Sequence, residues 1–258
     1  MSGPSRPKKR DETLAIGWIH PGEVNGFFMQ SVVNYILNDE VRGKDSRMGN
    51  GRGGTIGLQS GPRIAHARNL LVQSFLQDTN AEWLLMVDSD MVFNIEDVDT
   101  LFEVADPETC PIVGGLCFGA SITGKMFPTL YKFMDASKTE DGEIVQKIWD
   151  YPEYGLCKVD GTGAAFLLMH RDCLRKIGRE FEGDAPWFAE GTVYKGMSFG
   201  EDTAFCIRAM SLGYPIHVHT GAKIGHVKPQ VMDEEAYKRF RAQSENTSVM
   251  EKLGMVNI

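Results

Sequence analysis

The stretch at 81–93, AEWLLMVDSDMVF, sets an uninterrupted apolar run directly against two carboxylates, Asp88 and Asp90. A short apolar run without alternation reads as a strand covered on both faces, as in the parallel sheets of α/β proteins. Side chains alternate along a strand, so Asp88 and Asp90 are expected on one face if the strand extends through them. They would then stand at the carboxyl end of the sheet, where open α/β sheets bind ligands. Adjacent carboxylates repel unless a cation, a proton or an arginine relieves them. A bound metal meets that need most simply; capping of the following turn and helix is the plain alternative.

The rest of the chain alternates strand and helix signals, which favours one α/β sheet flanked by helices. TLAIGWIHPG (13–22) reads as a first strand closed by a Pro-Gly turn, and GFFMQSVVNYILND as a helix with Phe28, Val32 and Ile36 at helical spacing. The glycine-heavy span VRGKDSRMGNGRGGTIGLQSG lacks a phosphate-loop pattern and is expected to be a flexible loop near the site. A helix opened by Pro62 follows, with Ile64, Ala67, Leu71 and Phe75 on one face. Asn94 caps a helix whose stripe is Val98, Leu101 and Phe102. PIVGGLCF is the next strand, and KFMDASKTEDGEIVQKIWD a hairpin turning at Asp141-Gly142. GTGAAFLLMHRDCLRKIG is a strand and a helix ending at Gly178. A helix stopped by Gly213 and a strand with Ile216 and Val218 on one face complete the order. The expected organisation is a disordered basic tail over 1–11, a catalytic domain over 12–230, and a C-terminal helix and tail over 231–258.

The formal charge of −8 argues against a broad duplex-DNA surface but leaves room for a small nucleotide. No apolar run approaches the ~20 residues that cross a bilayer, and the N-terminus is not a secretory signal. Five cysteines without a CxxC pair fit reduced thiols in a cytoplasmic protein.

DSD after a buried strand, FGED (199–202) opening a helix, GHV (225–227) after a late strand, HARN before them and GTGAAFLL between them together resemble nucleotide-sugar glycosyltransferases of the GT-A fold. The resemblance runs in element order over 14–229. It implies a single Rossmann-like α/β domain with a mostly parallel central sheet, moving a sugar from a nucleotide-diphosphate donor to an acceptor hydroxyl. By the same resemblance Asp90 binds a divalent cation on the donor diphosphate, Asp88 faces the ribose or reaches the metal through water, and His226 completes the coordination. A hard cation with carboxylate, phosphate and one imidazole ligand points to Mn²⁺ ahead of Mg²⁺.

Asp202, with Glu201 beside it, is the candidate general base, although acids at a helix start also serve the helix dipole. Arg63 and Arg68 stand where they can meet phosphates, with a surface salt bridge as the alternative. Gly161, Thr162 and Gly163 would let backbone approach the donor sugar, or simply form a tight turn. Trp187 would stack on a sugar or pack as core. Lys228 would contact a phosphate or be solvated, and His20, closing the first strand, is grouped with the donor-binding residues. His217 and His219 are expected on a solvated strand face. The acceptor, whether glycan, protein, metabolite or modified base, is not specified.

Two rival readings stand beside this one. VDSDMV also resembles the signature of haloacid-dehalogenase-type Mg²⁺-dependent phosphatases, with Asp88 as nucleophile. That motif sits on the first strand of such enzymes, whereas a strand, helix, loop and helix precede it here. The other rival is a non-catalytic nucleotide-sugar-binding domain on the same scaffold.

Overall fold

The computed structural model describes residues 12–49, 53–121, 125–134, 144–194, 196–229, 232–238 and 240–241. The expected N-terminal tail, the turn at Asp141-Gly142 and the C-terminal tail lie outside those residues. The chain divides into two units, Met1–Val227 and Lys228–Ile258.

Seven strands form the main sheet of the first unit: β1 (Leu14–His20), β2 (Gly54–Gln59), β3 (Trp83–Asp88), β4 (Ile112–Leu116), β5 (Leu156–Val159), β6 (Phe166–His170) and β7 (Ile216–Lys223). Their spatial order is β5-β7-β4-β6-β3-β1-β2. β1, β2, β3, β4 and β7 run one way, while β6 and β5 are antiparallel to their neighbours. The sheet is therefore mostly parallel, with one reversed strand inserted beside β3.

Five helices cover it: α1 (Gly26–Val41), α2 (Ile64–Asp78), α3 (Ile95–Val104), α4 (Arg171–Glu180) and α5 (Glu201–Ser211). Alternation along β3 divides its apolar side chains between two cores. Leu84 and Met86 pack with Leu71, Phe75, Leu174, Ile177 and Phe205 of α2, α4 and α5. Trp83, Leu85 and Val87 pack with Phe28, Val32, Val98 and Leu101 of α1 and α3. Each such side chain contributes about 1.5–3 kcal/mol by leaving water, so β3 is anchored from both faces. Asp88 at its end inherits that fixed position.

Several local expectations change. The glycine-heavy span contains an edge strand, β2, in which Ile56 and Leu58 pack on the core while Thr55 and Gln59 are exposed. Glycine content masks that period of two. Helix α2 starts after Arg63, and Ile64 is exposed; Ala67, Leu71 and Phe75 are buried as expected. Helix α4 runs through Gly178 because a Cβ there would stand 2.7 Å from the Trp187 ring, so the missing side chain serves packing. His219 is buried under the edge of Tyr154, with ring centroids 4.8 Å apart, since both faces of β7 are covered. The Asn94 cap is present as a full capping box with Asp97.

The second unit contains a helical run at 234–238 begun by Asp233, whose side chain accepts from the Ala236 N–H at 2.8 Å. No helix among the described residues is long and apolar enough to cross a membrane.

Candidate active site

Strand β3 ends at Asp88, and Ser89-Asp90 form a turn rather than a continuation. The two aspartates therefore part company. Asp88 has its backbone N–H on the Ala165 carbonyl at 2.9 Å, and its Oδ1 accepts from Arg68 Nη2 at 2.9 Å. Asp90 is followed by Met91–Val92, which pairs antiparallel with Gly225–His226, and Val227 N donates to the Asp90 carbonyl at 2.9 Å. That short bridge brings His226 Nε2 to 3.1 Å from Asp90 Oδ2.

Arg68, on the second turn of α2, gathers the acids. Its side chain is only 5 % exposed and is surrounded by Asp88, Glu201 and Asp202. Nη1 donates to Glu201 Oε1 at 2.9 Å and also to Asp202 Oδ1. Burial works against the guanidinium charge, but Asp202, Asp88 and Glu201 together hold its pKa above the ordinary arginine value. Three carboxylates against one guanidinium leave the cluster at a formal −2. Arg68 is thus turned onto protein carboxylates, partners that its ARN setting and its place near the helix start did not announce.

Asp202 is held from a second side by the Ala164 N–H, 3.2 Å from Oδ2. Both acids stand in the first turn of α5, where the positive end of the helix favours their charge. Burial, and then the neighbouring Asp202, push the Glu201 carboxyl above the usual glutamate range. A folded pKa above the unfolded value means the stabilising contribution is complete below the unfolded pKa, about 4.3. It is lost as pH rises through the higher folded value. Glu201→Gln should abolish that loss: the stability difference between variant and wild type, followed by urea midpoint, should grow in the variant's favour as pH rises through this window. A difference that is flat with pH would show that Glu201 is not strained by its neighbours.

Beside these acids lies a cleft of about 420 Å³. Phe127, Tyr131, Lys147, Thr162, Gly163, Glu201 and Asp202 are among the residues that line it. Phe127, Tyr131, Lys147 and Thr162 come from two small antiparallel assemblies, Phe118–Ala120 with Met126–Pro128, and Leu130–Phe133 with Val145–Lys147 and Gly161–Thr162. Burial, followed by the charge of Asp202, raises the Tyr131 hydroxyl pKa. Sequence reasoning named the Gly161–Gly163 side but not Phe127, Tyr131 or Lys147. Nothing in KMFPTLYKF or IVQKIWD marks those residues until the strands pair.

The remaining candidates scatter. Trp187 is core, only 9 % exposed and with its indole N–H on the Leu174 carbonyl at 2.8 Å, so it presents no face to a sugar. His20 ends β1 and accepts from the Gly22 N–H at 3.2 Å. Arg63 is exposed at the N-cap of α2, without a capping bond. Lys228 is exposed and opens the second unit.

A divalent cation is the group that the sequence resemblance implies. Among the described residues no three His, Cys, Asp or Glu side chains converge to hold one, so Asp88, Asp90 and His226 do not form the expected set of three. The strand end and Arg68 have drawn Asp88 away. Asp90 and His226 nevertheless fit as a pair. His226 Nδ1 lies 2.8 Å from the Phe118 carbonyl, which can only accept, so Nδ1 carries the proton there. Nε2 then faces Asp90 Oδ2 either as a second donor, when the ring carries both protons, or as a lone pair, the form in which the imidazole and the carboxylate can ligate a cation together.

No family model matches the chain, and no curated protein matches it. Among solved structures, GalNAc-T7 with UDP, GalNAc and Mn²⁺ aligns with a TM-score of 0.53 at 9 % identity, over 84 % of this chain and 44 % of that chain. A197 from STIV aligns with a TM-score of 0.49 at 16 % identity, over 86 % and 97 %. A glycosyltransferase involved in the glycosylation of the major capsid of PBCV-1 aligns at 0.35 and 14 %, over 68 % of each chain. The likeness to GalNAc-T7 shows the fold alone: the chain has a GT-A-type α/β fold.

Proposed function

We propose that the protein is a divalent-metal-dependent glycosyltransferase that moves a sugar from a nucleotide-diphosphate donor to an acceptor hydroxyl. The observation that carries this reading is the Asp90–His226 pair, with its Nδ1 committed to Phe118, at the same sheet end as the Arg68-centred acids. Asp90 and His226 would hold the cation, preferably Mn²⁺, with donor phosphate oxygens completing its shell. When bound, the cation supplies positive charge to the departing diphosphate.

The chain's own residues do the rest. The backbone at Gly161–Gly163 lies along the cleft and admits the donor sugar closely. Asp202, oriented by Arg68 and the Ala164 N–H, accepts the acceptor hydroxyl's proton. The freed oxygen bonds to the anomeric carbon while the bond to the diphosphate breaks, and the leaving group takes that electron pair. Arg68 positions Asp202 and Asp88 without touching substrate. A phosphatase reading would need Asp88 as nucleophile on the first strand of the sheet, whereas Asp88 ends β3. Five free cysteines, four of them buried, suit a reducing cytoplasm.

A thermal-shift panel of nucleotide sugars with and without Mn²⁺ tests the assignment. One donor at a hundred times its dissociation constant should stabilise the protein by about 2.7 kcal/mol. Chelation with EDTA, or Asp90→Ala, should remove most of that gain, because the diphosphate loses its counter-charge. Donor binding by calorimetry that is indifferent to both would refute the metal assignment.

A further inference from the structure

Lys147 brings the opposite sign of charge to the cleft that Asp202 lines. Lys147 ends its strand with Nζ 4.7 Å from the centroid of the Phe127 ring. The arrangement repeats two residues along each segment, where Lys125 Nζ lies 5.5 Å from the ring of Trp149. Trp149 is 52 % exposed. Among the described residues, neither lysine is paired with a carboxylate. In a chain of formal charge −8, beside a cluster at −2, two cations seated on aromatic faces make a small basic patch at the mouth of an acidic cleft.

The chemistry of that patch is specific. A ring face beneath an ammonium limits where the lysine can go, so less freedom is lost when it meets an anion. The ring edges of Phe127 and the body of Tyr131 give flat apolar surface with a polar tip, which suits the C–H face of a pyranose. On the transferase reading, the cation that Asp90 and His226 would hold supplies the counter-charge of the donor diphosphate, so Lys147 remains for the other substrate.

We propose that the cleft between Asp202 and the Phe127–Tyr131–Lys147 wall is the acceptor subsite, and that it takes a sugar ring bearing an anionic substituent. The hydroxyl presented to Asp202 and the anion presented to Lys147 belong to one ring or to two adjoining ones. This rests on the transferase reading, and the test separates the two.

The full-length protein is titrated with methyl β-glucuronide and with methyl β-glucoside, by saturation-transfer NMR, in the presence and absence of UDP and Mn²⁺. The glucuronide should bind about fivefold more tightly than the glucoside, the scale of one exposed ion pair. Raising the salt to about 1 M, where screening acts over roughly 3 Å, should erase the preference. Lys147→Met should erase it too, and Lys147→Arg should keep it. Saturation of the nucleotide should not displace the glucuronide. Equal binding of both glycosides with normal nucleotide binding would overturn the acceptor proposal and leave the transferase reading standing. A Lys147-dependent preference without any nucleotide binding would leave an anionic-sugar site and remove the transferase reading. Mutual exclusion of UDP and glucuronide would put Lys147 on the donor phosphates and overturn the proposal.

Discussion

Arg68→Met should destabilise the protein by about 3–5 kcal/mol, the usual cost of removing one partner from a buried ionic cluster. Typical domains have only about 5–15 kcal/mol in total, so this is among the largest effects a single substitution can produce here. Methionine fills much of the arginine's volume, and the loss therefore reports charge and hydrogen bonding more than a cavity. Asp88, Glu201 and Asp202 would face each other without their shared donor. Protonation can relieve such repulsion, so the loss should be smallest near pH 4–5 and grow toward neutrality. Arg68→Lys keeps the charge but replaces a fork by a point, and one ammonium cannot reach three carboxylates as the guanidinium does. It should fall between wild type and methionine. Urea unfolding of the three proteins at two pH values measures this, and a methionine variant within about 1 kcal/mol of wild type at pH 7 would show that the cluster contributes little.

Asp202→Asn should reduce turnover on the order of 10²–10⁴-fold, the contribution of general-base catalysis. Asparagine keeps one acceptor oxygen, enough for Arg68 or for the Ala164 N–H, while its NH2 must turn away from the other donor. It also removes a negative charge beside Glu201. The melting temperature should therefore move little, and donor affinity, which depends on Asp90 and His226, should hold. Donor calorimetry, turnover and melting temperature on this one variant resolve the role. Turnover near the wild-type rate would make Asp202 a structural partner of Arg68 and direct attention to Glu201 or to a retaining mechanism without a protein base.

Much of the scaffold was legible because it rests on local patterns. The β3 run, the Asn94 cap and the stripes of α1 and α3 are written in contiguous residues, and the structure contains all of them. Strand β2 escaped because its glycines look like loop residues until Trp18 covers Gly57, where a Cβ would meet the indole at 2.8 Å. The site was legible as a set of residues but not as a set of contacts. DSD suggests two carboxylates on one face of a strand; a turn one residue past the strand sends one to Arg68 and the other to His226. Periodicity along α2 does not reveal that Arg68 will meet residues more than 130 positions away. Lys147 and Phe127 come together only through hairpin pairing, which no motif announces.

The bridge between Met91–Val92 and Gly225–His226 also has a consequence for biosynthesis. Asp90 and His226 are separated by 136 positions, with α3, α4, α5 and most of the sheet between them. A nascent chain emerging from the ribosome through α5 already holds Arg68, Asp88, Glu201 and Asp202, yet it has only half of the Asp90 pair. Synthesis proceeds at about 5–20 residues per second, so the interval between translating Asp90 and His226 is on the order of 7–27 s. Throughout that interval the growing polypeptide can assemble its acidic cluster but not the Asp90–His226 pair. That pair forms in one late step, when Gly225–His226 closes against the turn after β3.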